Sequence, residues 1–139
     1  MNDRKVSSIL REARDYIAKG FTKNALARDD NGYTCFPLYE KAVQWCERGA
    51  LIKAVQQTSF VAVEPAERWL AAVLGFDYES WEEEAVVDYN NNFETTQADM
   101  LDVFDTAIFM CELDENSSPA QTTVSASRSK RKYFCQLPK

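Results

Sequence analysis

The sequence of 139 residues contains no histidine. This absence excludes Ser-His-Asp and Cys-His nucleophilic catalysis and all histidine-ligated metals, because each needs an imidazole. No apolar run approaches the roughly 18 residues that span a membrane, and the first residues lack the apolar segment of a secretory signal. Four cysteines, none in a Cys-x-x-Cys pair, indicate free thiols in a reducing compartment. We therefore expect a cytoplasmic protein with no cofactor and no bound metal.

Basic residues are also missing from a long interval, since no Lys or Arg occurs between Arg68 and Arg128. Thirteen acidic residues lie in that interval. They could form a solvated surface, an acidic patch that binds a basic protein, or a carboxylate cluster that holds a divalent metal. Direct binding of nucleic acid is disfavoured because the acids would repel phosphates. The candidate partner-binding residues are Asp77, Glu79, Glu83, Glu84, Asp99, Asp102 and Asp105.

Apolar residues recur at helical spacing along most of the chain, and the pattern predicts an all-α fold. About five helices are expected in a compact bundle. The first ends at Gly20, the third opens at Glu64-Pro65, the fourth starts with a capping box at Ser80, and Thr96 caps the fifth. The five segments are 5–19, 38–56, 64–74, 80–89 and 97–111.

The second predicted helix carries a face of small residues that would let another helix approach closely. We expect Gly49 to lie at that crossing, with its neighbours Trp45, Cys46, Ala50 and Leu51 buried. Before this helix, residues 21–37 contain the turn signal Asp-Asp-Asn-Gly, which predicts a long loop or a small β-hairpin.

The apolar periodicity stops after Leu113. The pattern predicts a helical domain over residues 1–113 and an extended C-terminal tail over 114–139, rich in Ser and Thr with a basic end. The tail could lie on the acidic body or on a partner chain. Its candidate contact residues are Arg128, Lys130, Arg131 and Lys132.

The stretch DYNNNFETTQAD, residues 88–99, places oxygen side chains at positions 1, 3, 5, 9 and 12 of a calcium-binding loop. Position 6 of such a loop requires glycine and here is Phe93, and position 12 is normally glutamate and here is Asp99. The same letters are typical of a capped turn, with Thr96 as the helix cap and Phe93 packed beneath the loop. We interpret the stretch as that turn.

Three blocks of sequence resemble a family of small bacterial and phage proteins of unknown function. The family pattern is Gly-Trp, Ala-Arg-Asp, Trp-Cys-x-x-Gly-Ala-Leu, then Trp-Asn-Asp and a threonine. The first block matches Gly20 and Ala27–Asp29, the second and most specific matches Trp45–Leu51, and the third matches Asn90 and then Thr95 or Thr96. The sequence departs from the pattern at Phe21, Tyr89 and Asn91. The resemblance implies no activity but favours a phage or mobile-element accessory protein, acting in the cytoplasm of its host cell.

These observations predict a non-catalytic protein that acts by protein–protein contact. Its acidic helical face would bind a basic protein and could inhibit it by occupying a nucleic-acid-binding groove. One alternative is a structural or virion-assembly component held by its tail. A homo-oligomer is open under either reading. Another is a small-ligand binder or carboxylate-metal enzyme that uses residues 89–92.

Overall fold

The computed structural model describes residues 4–76 and 84–117. Within them no helix is long and apolar enough to cross a membrane. In chain order the elements are α1 (Val6–Lys19), β1 (Ala27–Asp29), β2 (Thr34–Cys35), β3 (Ala42–Trp45), α2 (Glu47–Val55), α3 (Phe60–Val73), α4 (Ala85–Asn91) and α5 (Gln97–Glu115).

The prediction of an all-α fold is wrong, because a three-stranded antiparallel sheet accompanies the helices, in the order β2-β1-β3. β1 and β2 form the hairpin that the sequence offered as one alternative for residues 21–37. β3 occupies a segment predicted as helix. Its last residue, Trp45, donates its backbone N–H to Gly20 and accepts a bond from Thr22. These tertiary hydrogen bonds, with the pairing to β1, outweigh the local helical period.

The core lies where α1, α2, α3 and α5 meet. The apolar stripes predicted for α1 and α5 face it, and nearly every member of those stripes is buried. The largest side chains fully enclosed there are Phe104, Leu10, Ile17, Leu51 and Ile52. This packing places α1 alongside α5, the first helix against the last.

Helix boundaries follow the caps that the sequence provides. α3 begins four residues before the predicted Glu64-Pro65 start, because the Ser59 hydroxyl accepts a bond from the Val61 amide and caps the helix. The Thr96 cap of α5 is confirmed: its hydroxyl accepts from the Asp99 amide, and the Asp99 carboxylate accepts from the Thr96 amide. The predicted capping box at Ser80 lies outside the described residues.

Candidate functional site

The block Trp45–Leu51 forms the junction between the sheet and α2. Trp45 is buried, its ring lies 5.0 Å from the ring of Tyr16, and its indole N–H donates to the Pro37 carbonyl at 3.1 Å. Burial of Cys46, Ala50 and Leu51 is confirmed. This part of the resemblance therefore coincides with residues that hold the fold together.

Gly49 does lie at a close approach, but the expected helix crossing is wrong. A Cβ atom added at Gly49 would overlap the backbone carbonyl of Leu26, which precedes β1. The same carbonyl accepts a hydrogen bond from the Cys46 amide at 3.1 Å. Glycine is needed here because α2 rests directly on another stretch of backbone.

Asn90 joins the three blocks of the resemblance. Its side chain is buried, accepts from the Glu47 amide at 3.0 Å and donates to the Thr22 carbonyl at 3.2 Å. Thr22 in turn accepts a bond from Arg28 through its hydroxyl, at 2.7 Å. Asn90 lies in α4 and thus holds both the start of α2 and the segment that follows α1 in place. Its role is structural.

The capped-turn interpretation of residues 88–99 is confirmed at the Thr96 cap, but the turn is shorter than predicted because α4 extends to Asn91. Asp88 and Asn90 lie within α4 rather than in a loop, and Asn90 is already bonded elsewhere. The expected packing of Phe93 beneath the loop is wrong, since 87% of this residue is exposed. Among residues 4–76 and 84–117 no group of three or more Cys, Asp or Glu side chains is arranged to hold a metal ion.

The outward face of α5 combines acidic and apolar side chains. Asp102, Asp105, Phe109 and Leu113 are exposed and follow one another at spacings of three or four residues, so they share one face of the helix. Phe109 is 63% exposed. We call these four residues the α5 face. Phe109 and Leu113 were not predicted as site residues, although their helical spacing from Asp102 and Asp105 can be read from the sequence.

Two arginines of α1 border the α5 face. Arg14 Nε lies 2.7 Å from Asp105 Oδ1, and Arg11 Nε lies 3.0 Å from Glu112 Oε2. A groove of about 500 Å³ runs along these ion pairs, with the Phe109 ring in its wall. Part of the negative charge of α5 is therefore neutralised by α1 within the molecule. The sequence could not predict these ion pairs, because it does not reveal which helix packs against α5.

The remaining candidate acids have different surroundings. Glu84 Oε2 lies 3.4 Å from Arg48 Nη1, Asp99 belongs to the α5 capping box, and Asp102 forms no ion pair with the residues that the structure describes. Burial raises the pKa of Tyr89, and the nearby Asp99 and Asp102 carboxylates raise it further. Asp77, Glu79 and Glu83, and the tail residues Arg128, Lys130, Arg131 and Lys132, lie outside the described residues.

A second concave site lies beside the residues 89–92 that the sequence offered for ligand binding. It is a cleft of about 370 Å³ between α2, α3, α4 and the segment before β1, and no acidic side chain is among its lining residues in the part of the chain that the structure describes. Its lining residues are Asn24, Ala25, Leu26, Cys46, Arg48, Phe60, Val87 and Asn91.

Comparison with known proteins gives one match. The sequence profile described as a family of unknown function, DUF6197, matches residues 1–109. No curated protein and no solved structure matches the chain.

Proposed function

The chain belongs to DUF6197, a family of unknown function, and we propose that it is a non-catalytic accessory protein that binds a basic protein partner through the α5 face. The observation that carries this proposal is the exposure of Phe109 and Leu113 in line with Asp102 and Asp105. Large apolar side chains that border charged groups on a surface are typical of contact sites.

The chemistry of the α5 face specifies the partner. An exposed aromatic ring supplies most binding energy when it enters a closed apolar pocket. Acidic residues around it attract a partner of opposite charge and exclude acidic proteins. Of the nine acids of residues 84–117, three are paired with arginines, and the six that form no ion pair with described residues extend this negative field. The expected partner has an apolar pocket bordered by Lys and Arg.

The proposed biological role follows from the chemistry of such a partner. Basic surfaces of this kind commonly bind nucleic-acid phosphates. A protein that covers one would inhibit nucleic-acid binding, which suits a phage or mobile-element protein acting on a protein of its host cell. The matched family has no known function, so this role is a proposal.

The test compares two variants of the α5 face with two control variants, and each pair replaces one exposed Asp and one exposed Phe. Asp102→Lys and Phe109→Ala alter the α5 face, whereas Asp30→Lys and Phe36→Ala alter exposed positions of the hairpin region. Asp102 is chosen because it forms no ion pair with described residues, so its reversal should leave folding intact. The partner is captured from the native host with wild-type protein, identified, and then titrated with each variant at low and high salt.

We expect Asp102→Lys to slow association and to weaken its salt dependence, because rim charges act mainly on the encounter. Phe109→Ala should weaken binding at least about tenfold, as truncation of an interface anchor does. Both controls should bind like wild type. An acidic partner, or equal loss in both pairs of variants, would refute the proposal. Capture of only a second copy of the chain would instead favour the structural role.

A further inference from the structure

Glu47, the first residue of α2, is an acid with no exposure to solvent. Both of its carboxyl oxygens are buried, and neither receives a hydrogen bond from a donor in the described part of the chain. Its backbone N–H is bonded to Asn90, so the start of the helix is satisfied without its side chain. An ionised carboxylate in such a place is strongly disfavoured.

The group that faces Glu47 is a second buried acid, Glu67 of α3. Both Glu67 oxygens accept from Arg48, at 3.0 Å from Nε and 3.0 Å from Nη2. The Arg48 guanidinium also lies 4.9 Å from the centre of the Phe60 ring. Because Arg48 holds Glu67 through two charge-assisted bonds, Glu67 is the ionised member of the pair.

We propose that Glu47 and Glu67 form a proton-binding site in which one proton, carried by Glu47, bridges the two carboxyl groups. A protonated Glu47 donates a hydrogen bond to Glu67 and no longer needs a donor of its own. The site binds a proton rather than a metal ion, since no third ligand of the described residues completes a metal site.

The proton site links three helices. Glu47 and Arg48 belong to α2, Glu67 belongs to α3, and Asn90 of α4 holds the Glu47 amide. Loss of the proton would leave two adjacent buried carboxylates facing each other, offset in part by the Arg48 guanidinium. The charged form would be relieved by separation of α2 from α3, so the protonation state controls how tightly this junction closes.

The direction of the pH effect follows from the surroundings of Glu47. Burial raises its pKa well above 4.5, the Glu67 charge and hydrogen bond raise it further, and Cys46 does so as well, while Arg48 acts in the opposite sense. Because the folded pKa exceeds the unfolded one, this stabilisation is present at low pH and is lost as pH rises through the folded value. Between the unfolded and the folded value the open population should grow about tenfold per pH unit, because opening releases one proton there, and above the folded value it should level off.

Infrared spectroscopy with carbon-13-labelled glutamate tests the site directly. The folded wild-type protein at neutral pH should show the carbonyl band of a protonated carboxylic acid, and Glu47→Gln should lack it. Glutamine keeps the size of the side chain and offers an N–H to Glu67, so the variant should fold. Its unfolding free energy should lack the decrease with rising pH that wild type shows between the unfolded and the folded pKa, where unfolding releases about one proton.

The matched control is Glu64→Gln, which removes a half-exposed glutamate one turn before Glu67 on α3. This variant should keep both the acid band and the wild-type pH dependence. Cys46, whose pKa is also raised by burial, would produce an alkaline loss that persists in Glu47→Gln, so the variant separates the two groups. Absence of the acid band from folded wild-type protein at neutral pH would overturn the proposal even if Glu47→Gln failed to fold.

Discussion

Single residues show where sequence reasoning succeeds and where it fails. Gly49 was recognisable because a glycine inside a helical pattern needs a reason, and a close approach is the usual one. Its neighbour in space, the Leu26 carbonyl, was not predictable because the helical period concealed β3. Glu47 gave no signal, since an acid within a predicted helix is ordinarily exposed to solvent.

Two effects predict opposite changes in stability for Gly49→Ala, so the measured change distinguishes them. Helix propensity alone predicts that alanine stabilises α2 by about 1 kcal/mol. Overlap with the Leu26 carbonyl predicts a larger, opposite effect, a net destabilisation of about 1–3 kcal/mol. We expect a lower melting temperature in thermal unfolding followed by circular dichroism. A variant that melts above wild type would contradict the close approach.

At the scale of elements, the long periodic helices were predictable and the short strands were not. α1 and α5 carry apolar stripes over several turns, so their inward faces were readable from spacing. β3 has four residues and runs almost directly into α2, and its small apolar residues also fit a helical period. Its identity depends on hydrogen bonds to β1, Gly20 and Thr22, which are distant in sequence and therefore invisible to local pattern.

The capping box of α5 supports a prediction about that helix. Thr96→Ala should lower the unfolding free energy by about 1 kcal/mol, because the Asp99 amide at the helix start loses its acceptor. Thr106→Ala, at an exposed position within α5, is the control and should be neutral or slightly stabilising. Chemical denaturation of both variants measures the difference. Equal stabilities would show that the cap does not contribute.

At the scale of the whole molecule, the sequence shows the acidic interval between Arg68 and Arg128, but it does not show which of these acids form ion pairs. Two of the nine acids of residues 84–117, Asp105 and Glu112, pair with Arg14 and Arg11 of the first helix. Packing in the core decides which helices become neighbours, so ion pairs between helices could not be inferred from the sequence. The same packing brings Glu115, near the end of α5, onto the first turn of α1, where its carboxylate accepts from the amide and hydroxyl of Ser7.

Glu115 should make the stability of the molecule depend on acid pH. Burial alone would raise its pKa, but the two bonds from Ser7, together with Cys111 and Lys5, outweigh that effect and lower the pKa below 4.5. Because the folded value lies below the unfolded one, the stabilisation is present above pH 4.5 and is lost as pH falls through the folded value. Glu115→Gln should cost about 1 kcal/mol at neutral pH, because hydrogen bonds to a charged, partly exposed group are lost.

Denaturant titrations of Glu115→Gln between neutral and acid pH measure this contribution. The difference from wild type should shrink on acidification. Asp114→Asn is the control, since Asp114 forms no ion pair with the described residues and its replacement should leave the pH profile unchanged. A constant difference at all pH values would indicate lost packing instead of a lost charge.

The pairing of the first helix with the last also has a consequence for how the chain is made. α1 leaves the ribosome before α5, which begins 78 residues after α1 ends. At synthesis rates of about 5–20 residues per second, that interval lasts on the order of ten seconds. During it the side of α1 that α5 will cover remains open to chaperones and to neighbouring nascent chains. Translation speed over residues 20–97 therefore sets how long the protein is vulnerable to aggregation before it can close.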